Sequence, residues 1–397
     1  MRILSNDFFS NAFPAKQVSS GGPARFAKSL SQAAINEGGS WIGIIIRNEK
    51  ESQIKIENLK KEGRASYWKL TLPTKLYKKI TLGKKNNSPE IILKPVIDKL
   101  KLFIEKSRPD VIFLNGFSIY AWIVLKAAFE TKTPLVIKHA GILKKEIDIY
   151  HDFFSKAGAK ILYETEREIS DIARYEIFLN KWSWNVYNKE VRKVSKKQGV
   201  IIPLPLPNGY ILKRHKPKRV EKIIHIGMVA RWDRIKNHPA ALALAKRINE
   251  LKLPWKIHSI TLIPETKHNP QLKEEYKKYI SVEKQRSAEA LKKFYRKMDL
   301  IIIPSHFDVS PGIVLEAVSE GVGVLISPNV GWVSEFKRAG AGEWIIDFSN
   351  PDKVVRRIKK LIGKEIPYSL LKSIEENHNS KRVFGKYLEI FKKATKI

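Results

Sequence analysis

The sequence predicts an α/β fold of two doubly wound domains, and three observations lead to this prediction. Short apolar strands alternate with amphipathic helices along nearly the whole chain, as they do around parallel sheets. A length of 397 residues with 43% hydrophobic residues suits two domains of ordinary size. Pro203, Pro205 and Pro207 stiffen the chain near its middle, as a linker does. We therefore expect one domain over residues 1–205 and a second over 206–378.

The first domain is expected to begin with a strand, a long loop and a helix. Pro23 suits the first turn of that helix, and Gly38 ends it. The remaining helices, expected from their apolar periodicity, are 95–106 and 120–130. The predicted strands are 2–4, 41–46, 111–114, 134–137 and 159–163. His139 follows the fourth of these strands, so it lies at the sheet edge where open α/β sheets bind ligands.

The second domain continues the same alternation. Its predicted strands are 223–229, 257–263, 300–303 and 324–326, and its predicted helices include 239–251 and 287–297. Arg231 and Lys236 follow the first strand at a spacing that lets both converge on a diphosphate. The final helix carries four large apolar residues on one face, Phe384, Tyr387, Leu388 and Phe391.

Residues 304–335 carry the strongest functional signal. Pro304 stops a buried strand, and a polar loop then leads to a helix start in which Ser310 is expected to cap and Pro311 to occupy the first turn. Bare N–H groups at such a start bind phosphate. Asp308 and Glu316 lie beside it, and carboxylates next to an anion site suit sugar hydroxyls.

Composition excludes several classes of function. The chain has no Cys, which excludes disulfides, thiol nucleophiles and cysteine-ligated metals. The N-terminus lacks the apolar core of a signal peptide, and residues 111–129 are too interrupted to span a bilayer, so we expect a cytoplasmic protein. Lys and Arg (74) exceed Asp and Glu (40), and the net charge of +34 favours polyanions such as nucleic acid or an anionic membrane. A compositional bias of the genome would give the same charge, and this alternative stays open.

The spacing Asp308-x7-Glu316 after Pro304-Ser305 resembles the nucleotide-sugar site of retaining glycosyltransferases with the GT-B fold, glycosyltransferase family 4 of the "glycosyl transferases group 1" type. Asp308 stands where the family usually has Glu. Other stretches resemble the family in the same order along the chain. In the first domain, Gly21-Gly22 resembles its glycine-rich loop, His139 resembles the His of its "HG" motif, and Pro207-Asn208-Gly209 resembles its domain junction. In the second domain, the stretch from Arg231 to Lys236 resembles its "GR…KG" loop, and the stretch from Gly331 to Glu335 resembles its "GG..E" turn, with Trp332 at the position of the second glycine.

The resemblance implies two Rossmann-like domains facing across a cleft, with a C-terminal helix at about 379–395 packing back onto the first domain. It implies a hexosyltransferase that moves a sugar from a nucleotide-diphosphate sugar to a glycan, lipid-linked or other acceptor, in cell-envelope or polysaccharide biosynthesis. No cofactor and no metal are expected. The implied catalytic residues are Asp308, Glu316 and His139, and the implied donor-binding residues are Gly21, Gly22, Arg231, Lys236, Ser310, Pro311, Gly312, Ile313 and Glu316.

Alternatives remain open at this point. The basic runs 60–85 and 181–197 contain aromatic residues, as does the headgroup region of a peripheral membrane contact, but solvated loops would also fit. The net charge would suit a nucleic-acid-binding protein, although no helix-turn-helix, zinc or RRM-like signature is present, so nucleic acid is not the favoured partner. Asp308 and Trp332 would also suit a degenerate transferase retained as a binding partner.

Overall fold

The computed structural model describes residues 1–6, 22–50, 53–83, 88–212, 222–264, 269–284 and 287–396. The chain forms two compact units. The first contains the described residues up to Pro205 together with the segment from Lys381 onward, and the second is Leu206–Ser380. Across the described ranges no helix is both long and apolar enough to cross a membrane.

The first unit is built on a sheet that has eight strands in its described part. The strands are β1 (Arg2–Asn6), β2 (Ser40–Glu49), β3 (Ile56–Glu62), β4 (Ala65–Pro73), β5 (Val111–Asn115), β6 (Leu135–His139), β7 (Tyr175–Phe178) and β8 (Gly199–Ile201). They lie in the order β3-β4-β2-β1-β5-β6-β7-β8. All neighbours are parallel except the β3–β4 hairpin at one edge. The order reverses beside β1, which is the topology of a doubly wound sheet.

Helices cover both faces of this sheet. They are α1 (Gly22–Asn36), α2 (Thr74–Thr81), α3 (Pro89–Ser107), α4 (Ile119–Glu130), α5 (Leu143–Ile149), α6 (Lys156–Arg167), α7 (Ile169–Ile172) and α8 (Lys181–Glu190). Leu4 and Ile112 pack with α3 and α4 in one buried cluster, whereas Ile3 and Phe113 pack with α1 in another. Adjacent strand residues thus enter opposite cores, which is why these strands read as continuous apolar runs.

The second unit is a five-stranded parallel sheet in its described part. Its strands are β9 (Ile224–Val229), β10 (Trp255–Ile260), β11 (Ser281–Glu283), β12 (Leu300–Ile303) and β13 (Gly323–Ile326), in the order β11-β10-β9-β12-β13. Its helices are α9 (His238–Glu250), α10 (Pro270–Tyr279), α11 (Ala288–Lys297), α12 (Ile313–Ser319), α13 (Val333–Arg338), α14 (Pro351–Leu361) and α15 (Tyr368–Asn377). The strand order reverses between β9 and β12, so the loops after these two strands flank the switch point where ligands bind in such sheets.

The last helix, α16 (Ser380–Ala394), packs within the first unit. Its aromatic face meets the aromatic residues of that core: the Tyr387 ring lies 5.1 Å from Phe26, and the Phe391 ring lies 5.2 Å from Phe113. Large aromatic side chains contribute strongly to burial, so this contact fixes the end of the chain to the first sheet.

One expectation about the first unit was wrong. Residues 159–163 form part of helix α6 rather than a strand, because Ser155 caps the helix and Ile161, Leu162 and Thr165 recur at helical spacing on its buried side. Several aromatic residues of the basic runs pack on other rings: Tyr77 stacks on Tyr120, Trp68 meets Phe103, and Trp184 and Tyr187 lie around Phe178.

Candidate functional site

The loops after β9 and β12 are fastened to each other at the switch point of the second sheet. The His306 N–H donates to the Ile235 carbonyl at 2.8 Å, and the Asn237 side chain donates to the Pro304 carbonyl at 3.1 Å. These bonds bring the loop that carries Arg231 and Lys236 against the loop that carries Asp308. The structure therefore joins residues that lie about 70 positions apart in the chain.

Lys236 and Asp308 form an ion pair between these two loops. Both side chains are mostly buried, with 21% and 12% of their surfaces exposed. The second Asp308 carboxylate oxygen accepts the Ser310 N–H at 3.3 Å. A predicted phosphate-binding cation and a predicted sugar-binding carboxylate are thus direct neighbours, and each neutralises the other in the absence of substrate.

Local capping explains where Lys236 lies. Asp233 accepts the Ile235 N–H at 3.0 Å and starts a short 3-10 turn over Arg234–Lys236. Asn237 then adopts a left-handed conformation, with φ of 56°, and its side chain caps α9. Asn tolerates this conformation better than most residues. The chain therefore turns sharply immediately after Lys236 and leaves its side chain at the loop interface.

Arg231 lies on the same loop but is 78% exposed, and its guanidinium is 3.3 Å from Asp233. An ion pair this exposed stabilises the fold little, so the guanidinium can turn to another anion. The Arg231 backbone is better fixed, because His238 Nε2 donates to its carbonyl at 2.8 Å. Burial lowers the pKa of His238, and the other ring nitrogen, Nδ1, lies 3.0 Å from the Tyr276 hydroxyl. No pattern in the sequence indicates this contact.

The start of α12 differs from the expected one. The helix begins at Ile313 with Gly312 as its N-cap, and within the described residues no side chain caps it. Ser310 lies two residues before the N-cap, and its N–H donates to Asp308 within the preceding loop, a local side-chain to backbone bond. A Cβ added to Gly312 would meet no described atom within 4 Å, so this residue borders open space.

Glu316 is buried in the first turn of α12, with 1% of its surface exposed. Its carboxylate accepts a hydrogen bond of 2.8 Å from the hydroxyl of Tyr295, a fully buried residue of α11. The phenol fixes the orientation of the carboxylate. Sequence reasoning missed Tyr295, because an aromatic residue on a buried helix stripe looks like ordinary core.

The loop after β13 lies against the Asp308 loop. The Asp308 N–H donates to the Asn329 carbonyl at 3.2 Å, and the Gly331 N–H donates to the Asp308 carbonyl at 2.8 Å. Among the described residues, the side chain of Glu335 bonds to partners outside the Asp308 loop. Its carboxylate accepts from Ser373 at 2.6 Å and lies 3.5 Å from His378. Burial opposes the ionisation of Glu335, but the bonds from His378 and Ser373 outweigh it and lower its pKa.

The site residues predicted in the first unit are Gly21, Gly22 and His139. Gly21 lies outside the described residues, and Gly22 is the first residue of α1. His139 ends β6 and is fully buried: its Nε2 pairs with Glu176 at 2.8 Å, and its ring stacks on Phe178 at 4.5 Å. Within the described residues the contacts of His139 are thus all internal to the first unit, and its catalytic role stays a prediction.

In the described ranges, no group of three or more His, Asp or Glu side chains is arranged to hold a metal ion. The polar groups that the second unit does bring together are Lys236, Asp308, the Gly312 peptide and Glu316, with Arg231 at the rim. This set combines cations for an anionic group with carboxylates for hydroxyl groups.

Residues 211–381 match the family model described as Glycosyl transferases group 1. This range includes both loops at the switch point and all of α12. Among curated proteins, no sequence matches the chain significantly.

The chain is similar over its full length to solved structures of low sequence identity. A sucrose-phosphate synthase from Thermosynechococcus elongatus gives a TM-score of 0.71 at 13% identity, covering 99% of this chain and 98% of that one. An E. coli structure described as trehalose-6-phosphate bound with UDP-2-fluoro glucose gives 0.67 at 12%, covering 100% and 99%. A UDP-forming α,α-trehalose-phosphate synthase from Burkholderia xenovorans gives 0.68 at 11%, covering 100% and 99%. At these identities the likeness shows the fold, and the expected GT-B fold is confirmed.

Proposed function

We propose that this protein is a glycosyltransferase that uses a nucleotide-sugar donor and retains the anomeric configuration of the transferred sugar; the match of residues 211–381 to the group 1 glycosyltransferase model supports the proposal. The observation that carries the proposal is the Lys236–Asp308 pair on the two loops at the switch point, followed in the chain by Gly312 and the buried Glu316. The acceptor is a glycan, a lipid-linked sugar or another hydroxyl compound of cell-envelope or polysaccharide biosynthesis.

The main barrier in this reaction is departure of the nucleoside diphosphate, on which negative charge grows as the bond to the anomeric carbon breaks. Lys236 pairs with Asp308 on the loop that leads to Gly312, and its ammonium would stabilise that charge. Arg231 is mobile enough to add a second cation. The proposal assigns this work to side chains and loop amides, including those of Gly312 and Ile313, and requires no metal ion.

The ion pair also suggests how the two loop groups share their roles. A diphosphate carries more charge than one carboxylate, so it would draw Lys236 away from Asp308 on binding. Asp308 would then be free to accept hydrogen bonds from donor-sugar hydroxyls and to favour positive charge at the anomeric carbon. Glu316, oriented by Tyr295, would accept the ribose hydroxyls of the nucleotide.

Retention requires that the new bond form on the face of the sugar that the diphosphate leaves. In the proposed reaction the acceptor hydroxyl attacks that face and its proton passes to the departing phosphate oxygen. The anomeric carbon exchanges its bond to that oxygen for one to the acceptor oxygen. Nothing in this scheme requires a nucleophilic side chain, and we assign none.

A donor screen tests the proposal. Release of nucleoside diphosphate is measured across UDP-, GDP- and ADP-sugars with and without EDTA, and turnover of at least one donor is expected in both. Gly312→Ala should lower kcat/KM on the order of 10- to 100-fold, because a methyl group would obstruct close approach of the diphosphate to the loop.

Gly342→Ala is the matched control for this substitution. Gly342, like Gly312, would place an added Cβ within 4 Å of no described atom, but it lies away from the loops. Both variants should fold, and only the first should lose turnover. Salt-dependent DNA binding without turnover of any donor would instead support the nucleic-acid alternative, and nucleotide binding without turnover would support a degenerate transferase.

We further propose that the protein contacts an anionic membrane through the basic surface of α2, at the inner face of the cell membrane. Lys75, Lys78 and Lys79 are exposed, and their spacing places them on one face of the helix. Leu82, which is 53% exposed, follows on the same face. Cations beside an exposed apolar residue suit an anionic headgroup layer.

Vesicle co-sedimentation tests this contact. Replacing Lys75, Lys78 and Lys79 by Gln should weaken binding to vesicles of equal phosphatidylglycerol and phosphatidylcholine on the order of 100-fold, because each lysine near an anionic surface contributes about 1 kcal/mol. The matched control replaces three exposed lysines of α14, Lys353, Lys359 and Lys360. Equal loss in both triple variants, or equal binding to pure phosphatidylcholine vesicles, would refute the contact.

A further inference from the structure

Trp332 occupies a position that the proposed reaction does not explain. The residue directly precedes α13, and its indole is buried, with 2% of its surface exposed. The indole N–H donates to the Pro311 carbonyl at 3.1 Å. Trp332 stands where the resembling family pattern has a glycine, so this contact is a feature of the present chain.

The hydrogen bond to the Pro311 carbonyl affects the next residue, Gly312, because the two share one peptide unit. In a trans peptide the C=O and N–H groups point in opposite directions. An indole that fixes the Pro311 carbonyl toward the protein interior therefore fixes the Gly312 N–H away from it. The same carbonyl also accepts the Val314 N–H at 3.2 Å, so two donors define the peptide plane.

The residues just before Trp332 hold the other end of the same loop. Asn329 and Gly331 bond to the two backbone groups of Asp308, as described above. The segment 329–332 thus fastens the loop 308–311 at its first residue through backbone bonds and at its last through the indole. Asp308, the partner of Lys236, lies inside this clamp.

Two other rings pack against the Trp332 indole. The His378 ring stacks on it with centroids 4.9 Å apart and planes 20° apart, and Phe336 meets it edge-on at 6.5 Å. The His378 carbonyl accepts the Leu206 N–H at 2.7 Å, so the backbone of His378 is itself held by a hydrogen bond. A large ring packed on two sides keeps a single orientation, which a hydrogen bond to one carbonyl requires.

We propose that Trp332 is a positioning residue for the nucleotide donor: its indole N–H sets the 308–312 loop, and with it Asp308 and the Gly312 peptide, in the conformation that receives the diphosphate. The inference rests on the proposed function, since it concerns the same donor site. It predicts that Trp332 affects the binding of phosphate groups and leaves the binding of the nucleoside unchanged.

The test compares Trp332→Phe, which keeps a ring but removes the N–H, with wild type. The probes are UDP, GDP and ADP and their parent nucleosides, measured by calorimetry. For the diphosphate that wild type binds best, Trp332→Phe should raise Kd about five- to tenfold, the effect of one lost hydrogen bond. The Kd of the matching nucleoside should not change.

Trp344→Phe is the matched control. Trp344 is also buried in the second unit, but its indole N–H has no hydrogen-bond acceptor among the residues that the structure describes. This variant loses similar packing and no hydrogen bond, so its diphosphate Kd should equal that of wild type. If Trp332→Phe does not fold, β-(3-benzothienyl)alanine at position 332 keeps the ring shape and still removes the N–H.

The outcomes separate this inference from the proposed function. If wild type binds none of the three diphosphates, the proposed function itself fails. If wild type binds one of them and Trp332→Phe binds it equally well, or if Trp344→Phe weakens it as much, the positioning role is wrong. A parallel loss of diphosphate and nucleoside binding would also overturn it, because that result indicates general damage to the site.

Discussion

Glu316→Gln is expected to lower kcat/KM on the order of 10²- to 10³-fold while leaving the fold intact. Gln has nearly the same size, and its carbonyl oxygen can still accept the Tyr295 hydroxyl that Glu316 accepts at 2.8 Å. What it loses is the charge and one acceptor, in a position where only 1% of the residue is exposed. A buried acceptor that binds ribose hydroxyls has no water to replace it, so its loss falls directly on donor binding. Steady-state kinetics with the preferred donor and thermal unfolding measure the two effects.

Glu320→Gln is the control for this prediction. Glu320 ends the same helix and is also buried, but it pairs with Arg296 at 2.6 Å and takes no part in the proposed site. Its replacement should cost some thermal stability and leave turnover unchanged. Full activity in Glu316→Gln would contradict the proposed function, and equal losses in both variants would indicate that α12 acts only as packing.

Tyr295→Phe sharpens the interpretation of Glu316. The substitution leaves the carboxylate and removes only the phenol that orients it. We expect an intermediate loss of donor affinity, smaller than that of Glu316→Gln, because the carboxylate can still accept the ribose hydroxyls from a less fixed position.

The fold could be predicted from the sequence at most of the strands that are buried on both faces, although β4 and β7 were missed. Runs such as Leu300–Ile303 are continuous and apolar, which predicts a central parallel strand. The loop after such a strand then lies at the edge of the sheet where ligands bind. The prediction failed at 159–163 because a short apolar run does not reveal whether it belongs to a strand or to a buried helix. It also missed β3, an edge strand whose lysines read as a loop.

Some residues of the candidate site were likewise predictable from the sequence, and others were not. Lys236 and Asp308 were predictable because both follow strand ends that a parallel sheet must bring to one edge. Tyr295, Trp332 and His378 were not, because their contacts join helices and loops whose side-by-side packing leaves no pattern in the chain. The position of His139 at a strand end was also predictable, but the packing of its ring on Phe178 was not.

Lys236→Met is expected to lower both stability and turnover, and the two effects have different causes. Removing the ammonium leaves Asp308 unpaired in a position where 12% of the side chain is exposed, which costs about 1–3 kcal/mol of unfolding free energy. The same change removes the cation that stabilises the leaving diphosphate, which should lower kcat on the order of 10²- to 10³-fold. Lys246→Met, which breaks the Lys246–Glu275 pair on the outside of α9, should change neither quantity appreciably.

A second substitution separates the two causes. Asp308→Asn in the Lys236→Met background removes the unpaired charge, so most of the lost stability should return. Turnover should stay low, because the Lys236 ammonium is still missing and Asn cannot favour positive charge at the anomeric carbon. If turnover returned together with stability, the ion pair would be a structural contact between two loops, and neither charge would have a part in the reaction. A double variant that is stable and still inactive would show that the pair serves the reaction as well as the fold.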